Sequence, residues 1–182
     1  GLDAAGVVLG SASIFDPATG TTSAAANMPE PRTQHTSTLL NDGRVFMTGG
    51  VKAINTADPI ASLNDILKTS VIYNPANNTW ASAASLPMPR IGHAASLLPS
   101  GDVLLSGGLE VGSLFGIPLP AIVNSCRRYS PVANFMYSTP PFSGNRALHG
   151  QIGLADGRVL VVGGADGDVL TQNFFSLNTC RV

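Results

Sequence analysis

Charge is scarce in this sequence. Asp, Glu, Lys and Arg make up only 12 % of the 182 residues, about half the usual share of a globular domain, and the net charge is −1. The lysines are two, Lys52 and Lys68. Binding to nucleic acid or to anionic lipid needs clustered positive charge, so we expect neither partner.

Long apolar runs and cysteine clusters are also missing. No stretch approaches about 20 uninterrupted apolar residues, and the N-terminus has no basic segment followed by an apolar one, so we expect no transmembrane helix and no uncleaved signal peptide. A start at Gly1 is consistent with a processed product. Cys126 and Cys180 either form one disulfide or remain thiols, and their spacing does not decide which. No Cys–His cluster has metal-site spacing, so we predict no metal and no cofactor.

Apolar and turn-forming residues are plentiful instead. The sequence is 44 % apolar and contains 20 Gly and 13 Pro. This mixture supplies enough apolar surface for a core and is typical of short strands joined by many turns. We therefore predict an all-β fold.

Three diglycines recur at a nearly constant spacing. Gly49-Gly50, Gly107-Gly108 and Gly163-Gly164 lie 58 and 56 residues apart, and each follows an apolar run. The same two offsets relate three other sets of landmarks: Arg32, Arg90 and Arg146; His35, His93 and His149; and Asp16-Pro17, Asn74-Pro75 and Ser130-Pro131. Four landmarks in one register indicate an internal repeat, with boundaries near residues 31, 89 and 145.

Each repeat is predicted to contain four short strands. The first follows the Arg-x-x-His landmark and ends in a turn such as Asn41-Asp42-Gly43. The second is almost wholly apolar, which indicates burial on both faces, and ends in the diglycine. The third ends in an aromatic residue before the Asx-Pro turn, and the fourth carries Thr79-Trp80. Four antiparallel strands per repeat form one propeller blade.

The landmarks resemble those of the kelch repeat family. Pro-Arg-x-x-His, an apolar strand ending in Gly-Gly, Tyr-Asn-Pro, Asn-Thr-Trp and Leu-Pro follow one another from Pro31 to Pro89. The turns are similar to those of the bacterial and galactose-oxidase-like branch. The sequence departs from the pattern at Trp80, whose counterpart in the next repeat is Phe135 or Met136. The resemblance implies a β-propeller in which these residues maintain the fold: Arg32, His35, Gly49, Gly50, Tyr73, Trp80, Arg90, His93, Gly107, Gly108, Arg146, His149, Gly163 and Gly164.

The resemblance implies that residues 1–182 are a single kelch-repeat region, and we expect it to contain too few blades for a closed ring. We predict a third and a fourth strand at about residues 11–27, then two whole blades, then a first and a second strand at about 146–164 and a third at 172–175. These strands make about three to three and a half blades, whereas propellers close with about 4–8. We expect a second copy, a longer polypeptide or a different chain to supply the others.

The recurring charged residues are interpreted as structural. Catalysis usually needs different groups that converge on one point, whereas a repeat distributes equal groups around an axis. The aspartates of the hairpin turns, Asp42, Asp102 and Asp156, are interpreted as turn residues that accept backbone hydrogen bonds. We therefore predict no catalytic residue.

Two insertions between the second and third strands do not repeat. In residues 51–69, Asp58 as N-cap and Pro59 at the first helical position predict a short amphipathic helix. Residues 109–125 form a strongly apolar loop whose prolines oppose a helix or a central strand. Such a loop either caps its own blades or contacts a partner, a hydrophobic ligand or a membrane. The predicted partner-binding residues are Leu114, Phe115, Ile117, Leu119, Ile122, Val123, Ile60 and Leu63.

The sequence therefore favours a non-enzymatic structural or protein-interaction subunit, located outside the cell or in the periplasm. A first alternative, implied by the resemblance, is a fragment of a galactose-oxidase-like copper radical oxidase. Such an oxidase needs tyrosines and histidines around copper, but Tyr73 and Tyr129 occupy ordinary kelch turns. A second alternative is a glycan-binding propeller, although Trp80 is the single tryptophan and belongs to the repeat.

Overall fold

The computed structural model describes residues 1–171 and 173–181, in which almost all of the regular secondary structure is β-strand. In chain order the first half contains β1 (Ala12–Asp16), β2 (Thr21–Ala25), β3 (Thr36–Leu39), β4 (Val45–Thr48), a 3₁₀ helix (Ala61–Asp65), β5 (Ser70–Asn74) and β6 (Thr79–Ala83). The second half contains β7 (Arg90–Ile91), β8 (Ala94–Leu97), β9 (Val103–Ser106), β10 (Leu109–Leu114), β11 (Ile117–Ile122), β12 (Cys126–Ser130), β13 (Phe135–Thr139), β14 (Gly150–Gly153), β15 (Val159–Val162), β16 (Ala165–Asp168), β17 (Asn173–Ser176) and β18 (Cys180–Arg181).

These strands form successive antiparallel blades. Blade I is the hairpin β1–β2, blade II is the sheet β3-β4-β5-β6, blade III is β8-β9-β12-β13 and blade IV is β14-β15-β18. The first strands of blades II, III and IV lie side by side, so the blades radiate from a common inner edge. This arrangement confirms the prediction of all-β, kelch-type blades with four strands in the two middle repeats.

The main core lies between blades II and III. The rings of Phe46 and Tyr129 stack with centroids 4.0 Å apart and planes 7° from parallel. Val103 and Leu105 of the second strand are fully buried. The other buried members of this core are Leu40, Ile72, Ala83 and Leu86. The second strand of blade III is mostly apolar and largely buried because its own blade's neighbouring strands and the adjacent blade cover it.

An asparagine joins each middle blade to the blade before it. Asn78 adopts a positive φ of 54°, and its Oδ1 accepts hydrogen bonds from the Tyr73 hydroxyl (2.9 Å) and from the backbone N–H of Ala26 at the end of blade I (2.7 Å). Tyr129, Asn134 and Ala84 repeat the arrangement one blade later. The turn after the third strand is therefore hydrogen-bonded to the residue that follows the outer strand of the preceding blade, and this contact joins the two blades.

The structure identifies the counterpart of Trp80. Tyr73 pairs with Trp80 across β5 and β6, and Tyr129 pairs with Met136 across β12 and β13, so the counterpart is Met136 and not Phe135. The indole N–H of Trp80 donates to the Ala26 carbonyl at 2.8 Å. Trp80 thus reinforces the contact between blades I and II and is not an open platform for a sugar ring.

The third strand of blade IV is not where the sequence predicted it. Gln172 lies outside the described residues, and Asn173–Ser176 is the return strand of the inserted hairpin β16–β17. The third strand of the blade is β18, which pairs with β15. Third strands begin 21 residues after the first glycine of the diglycine in blade II and 19 after it in blade III, at Ser70 and Cys126. Asn173 follows Gly163 too closely to begin a third strand, whereas Cys180 lies at a suitable distance from Gly163.

Both predicted insertions differ from the expectation: the first contains a shorter helix than predicted, and the second is a regular hairpin. The helix of residues 51–69 is a single 3₁₀ turn whose N-cap is Ile60, not Asp58, although Asp58 Oδ1 still accepts the N–H of Ala61 at 3.2 Å. An α-helix does not fit because Ile66 is already extended and bridges to Val51. Residues 109–122 form the hairpin β10–β11, where a loop was predicted. Pro118 and Pro120 are tolerated because β11 is an edge strand.

Candidate functional site

The inserted elements share one side of the blades, which we call the insertion face. Neighbouring strands are antiparallel, so second strands end where first strands begin, and both insertions and the starts of the first strands emerge together. The insertion face carries residues 51–69 and the hairpins β10–β11 and β16–β17. The turns between first and second strands lie on the opposite face.

The repeated arginines are buried within the blades, beneath the insertion face. Arg90 is fully buried, and its Nη1 donates to the carbonyls of Gly107 (2.9 Å) and Ser125 (3.1 Å). Its Nη2 donates to the Ser125 hydroxyl at 2.7 Å and pairs with the Glu110 carboxylate. Arg32 makes the matching bonds to Gly49, Thr69 and Glu30, and Arg146 makes them to Gly163 and Thr179. These guanidinium groups hold the diglycine to the start of the third strand.

The repeated histidines join adjacent blades. His93 Nε2 lies 2.9 Å from the Thr36 hydroxyl of blade II, and His149 Nε2 lies 2.9 Å from the Ser106 hydroxyl of blade III. Burial lowers the pKa of His93 to about 3, and burial together with Arg146 lowers that of His149 to about 4. Burial also lowers the pKa of His35 to about 4. At neutral pH these rings are uncharged hydrogen-bonding groups, which suits a structural contact.

The lowered pKa of His93 predicts acid sensitivity. An unfolded histidine titrates near 6.5 but the folded His93 only near 3, so the unfolded chain binds more protons between these values. Stability is therefore complete above pH 6.5 and falls as the pH drops towards 3, by about 1.4 kcal/mol per pH unit for this residue. Urea unfolding at pH 7, 6 and 5 measures the slope, which His93→Gln should reduce by that amount. Equal slopes in both proteins would mean that His93 titrates in the folded protein as it does in the unfolded chain.

The hairpin-turn aspartates do not converge. Asp42 and Asp156 each accept the backbone N–H two residues later at 3.0 Å, as expected for turn residues. Their side chains also pair with Arg44 and Arg158, and these hydrogen bonds lower the pKa of both carboxyls. Asp102 instead pairs with Arg128 of the third strand. Within the described residues, no three His, Cys, Asp or Glu side chains form a cluster able to hold a metal ion.

The two cysteines are separate thiols. Cys126 is buried and Cys180 is exposed, and neither forms a disulfide. Each is the first residue of a third strand, Cys126 in blade III and Cys180 in blade IV. They thus occupy the same position in two neighbouring blades, and of the two alternatives left open by their spacing the structure shows the thiols.

The predicted partner-binding residues divide into an exposed tip and a buried base. Leu114, Phe115, Ile117 and Leu119 at the end of the β10–β11 hairpin are exposed, as is Ile60. At the base, Ile122 is buried and Val123 and Leu63 are half-buried. Val111 and Leu109 of the hairpin pack with Val51, Leu63 and Ile66 of the other insertion. The loop therefore both caps the blades and presents an apolar surface.

A cavity of about 400 Å³ opens on the insertion face beside this hairpin. Its walls come from the segments that precede β8 and β14, the base of β10–β11 and the hairpin β16–β17. They are apolar apart from Gln34: Ile91, Gly92, Leu109, Ile122, Ala147, Leu148, Ala165, Val169 and Phe174. No helix of the described chain is long and apolar enough to cross a membrane. Several inserted elements thus contribute to one cavity.

Several of the residues that matter were missed in the sequence. Glu30 reaches Arg32 from a loop and Glu110 reaches Arg90 from strand β10, so the repeat offset does not relate the two glutamates. The hydroxyls that meet the histidines come from different strands, Thr36 from β3 and Ser106 from β9. By contrast, Asn78 and Asn134 lie 56 residues apart, and that recurrence was a usable signal.

Parts of the chain are similar to curated kelch proteins. A segment of 89 residues is 30 % identical to Kelch domain-containing protein 1 of Mus musculus, over 48 % of this chain and 20 % of that protein. A segment of 92 residues is 32 % identical to Kelch-like protein terF of Aspergillus terreus, over 50 % of this chain and 19 % of that protein. A segment of 80 residues is 33 % identical to N-acetylneuraminate epimerase of Salmonella typhi, over 43 % of this chain and 20 % of that protein. The chain thus matches about a fifth of the length of these relatives, and no family model matches it.

Proposed function

We propose that this chain, which is built from kelch-type β-propeller blades, is a structural or protein-interaction subunit that completes its ring by association with other blades. The proposal includes a location outside the cell or in the periplasm. One observation carries it: positions that are buried where two blades meet are more accessible to solvent at the two ends of the blade series.

The difference in exposure is clearest on the outer side of blade IV, which is the face that points away from blade III. Thr38 and Phe46 of blade II face blade III and are 8 % and 1 % exposed. Their counterparts in blade IV are Ile152, which is 60 % exposed, and the half-buried Leu160. Val162, the counterpart of the fully buried Thr48, is 42 % exposed. Covering these apolar side chains with another surface would be favourable, because it would remove them from water.

The opposite end shows the same pattern. Val103 and Leu105 of blade III are fully buried against blade II, whereas their counterparts Val45 and Met47 in blade II are only half-buried. Those two residues face the side where blade I supplies β1 and β2 alone. A first and a second strand supplied by another blade would cover them, and would also pair with the open edge of β1.

The relatives add two further considerations. Proteins named for kelch domains match half of this chain, and a propeller scaffold that presents loops on one face suits protein contacts. The similarity to an N-acetylneuraminate epimerase is limited to 80 residues. The buried Arg90 donates to backbone carbonyls, and His93 and His149 lie within hydrogen-bonding distance of hydroxyl groups of the preceding blade, so these side chains are engaged in contacts within the blades.

Ring completion predicts concentration-dependent assembly that depends on the outer side of blade IV. Light scattering of the chain should give a mass above that of the 18.7 kDa monomer, rising with concentration. Ile152→Asp places a charge on the covered surface, so assembly should need at least about tenfold more protein. Val132→Asp, at a 99 % exposed turn position, is the matched control and should not change the mass.

A well-folded monomer that binds no apolar dye at any tested concentration would contradict the proposal. So would an Ile152→Asp variant that assembles as readily as the unmodified chain.

A further inference from the structure

Gly1 occupies the position that the second glycine of a diglycine holds in the later blades. In blade II, the backbone N–H of Gly50 donates to the carbonyl of Arg90 in the next blade at 3.0 Å. The amino group of Gly1 donates to the carbonyl of Arg32 in the next blade at 2.8 Å. The carbonyl of each glycine then accepts a backbone N–H from the segment before the third strand, at 2.7 Å in blade II and at 2.9 Å in blade I. The start of blade I therefore has the contacts of a diglycine without the strand that leads into one.

Ser11 occupies the position of a residue that binds a repeat arginine. In blades II, III and IV the residue before the third strand carries a hydroxyl that accepts from the arginine of its own blade: Thr69, Ser125 and Thr179. The carbonyl of the same residue accepts from that guanidinium and from the first glycine of the diglycine. Ser11, which is exposed, precedes β1 in the same way. Each repeat arginine is bound within its own blade, so none of them reaches Ser11.

β1 is a third strand that has no second strand beside it. Asp16-Pro17 at the end of β1 is the counterpart of Asn74-Pro75 at the end of β5, but β5 pairs with both β4 and β6 whereas β1 pairs with β2 alone. Ile72 of β5 lies opposite Phe46 of the second strand and is 7 % exposed, while its counterpart Ile14 in β1 is 46 % exposed. A second strand would pair with the free edge of β1 and cover Ile14.

A second copy of this chain has no free hairpin for this edge. Its hairpins of first and second strands, β3–β4, β8–β9 and β14–β15, each pair already with a third strand of their own. A diglycine from a second copy would also need the place that Gly1 holds. The hairpin that fits ends instead in one glycine, at the amino group of Gly1.

We propose that residues 1–25 are a receptor for a kelch-type hairpin that lies outside residues 1–182. An arginine precedes the first strand of this hairpin and donates to the hydroxyl and the carbonyl of Ser11. The second strand is apolar, pairs with β1, covers Ile14, Val45 and Met47, and ends in a glycine at the amino group of Gly1. The inference rests on the proposed completion of the ring and names the chemistry of the partner at the amino-terminal end.

The test appends a copy of residues 31–49 to the full chain, so that its last glycine directly precedes Gly1 as Gly49 precedes Gly50. The β1 amides that do not bond to β2 should exchange their hydrogens at least about tenfold more slowly than in the unmodified chain, because the appended second strand pairs with them. Added to the unmodified chain as a free peptide at a saturating concentration, the same hairpin should also slow these amides. The result therefore does not depend on the folding of the fusion.

Two substitutions test the role of the arginine. Arg32→Ala in the appended copy should remove most of the protection, and Ser11→Ala should reduce it by at least about threefold, since each removes one side of the same hydrogen bond. Ser23→Ala is the matched control. Ser23 is an exposed serine of β2, the strand on the far side of β1 from the hairpin, so its loss should leave the protection unchanged.

The inference is overturned if neither the appended nor the free hairpin protects β1, if the Arg32→Ala copy protects it equally well, or if Ser11→Ala behaves like Ser23→Ala. It is also overturned if β1 of the unmodified chain becomes protected as the chain self-associates, because a second copy would then be the occupant. The mass measurement with Ile152→Asp tests the other end of the blade series, so its result and the protection of β1 are independent.

Discussion

Arg90→Ala is expected to destabilise the chain by about 3–5 kcal/mol. The side chain is fully buried and donates to two backbone carbonyls, to the Ser125 hydroxyl and to Glu110. Its loss leaves the Glu110 carboxylate, itself only 16 % exposed, without a partner. A buried charge or carbonyl that loses its hydrogen-bond donor costs the free energy of desolvation that the guanidinium had offset. A domain of this size is commonly stable by only about 5–15 kcal/mol, so a large fraction of its stability is at stake.

Urea unfolding followed by circular dichroism measures this effect. Arg44→Ala is the matched control, because Arg44 is exposed and pairs with Asp42 at the surface. That variant should lose less than about 1 kcal/mol. Arg90→Lys should lose almost as much as Arg90→Ala, since one ammonium cannot reach both carbonyls and the carboxylate. If Arg90→Ala cost no more than Arg44→Ala, the arginine would not hold the diglycine in place.

Gly107→Ala is the second substitution expected to have a large effect. A Cβ at this position would lie 2.4 Å from the Arg146 carbonyl oxygen and 2.8 Å from His149 Cε1. The backbone φ of 58° is also unfavourable for alanine. Because the clash involves the backbone of the next blade, blades III and IV must separate to relieve it. We expect a loss of about 3 kcal/mol or more in the free energy of unfolding.

Gly43→Ala separates the two causes. Gly43 also has a positive φ, 82°, but no atom lies within 4 Å of an added Cβ. This variant should therefore lose only the conformational term, about 1 kcal/mol. Thermal unfolding of both variants gives the difference, which reports the contact between blades. Equal losses would mean that blades III and IV lie further apart than described.

Much of the fold could be predicted because the recurring landmarks show where each repeat begins and ends. The diglycines, the arginines and the histidines recur at the same offsets, and each landmark marks the start or end of a strand. The prediction of blades therefore needed no knowledge of long-range contacts. It failed at Asn173–Ser176, where an inserted hairpin mimics a third strand, because two exposed phenylalanines resemble the apolar pattern of a blade strand.

The candidate site was predictable only in part. Leu114, Phe115 and Ile117 stood out as an apolar segment that the repeat did not explain. Leu148 and Phe174, which lie on the same cavity, did not stand out. One follows a repeat landmark and the other was assigned to a strand, and only contacts between distant segments bring them to the same opening.

The sequence by itself determined the blades, since the local preferences of glycine, proline and alternating apolar residues act within a few neighbours and repeat with the chain. Tertiary structure alone decided which groups meet across the blades: that Glu110 pairs with Arg90, that Thr36 meets His93, and that two hairpins enclose a cavity. The physical reason is the range of the interactions. Turn and strand preferences are local, whereas burial and charge pairing depend on residues far apart in sequence that only the folded chain brings into contact.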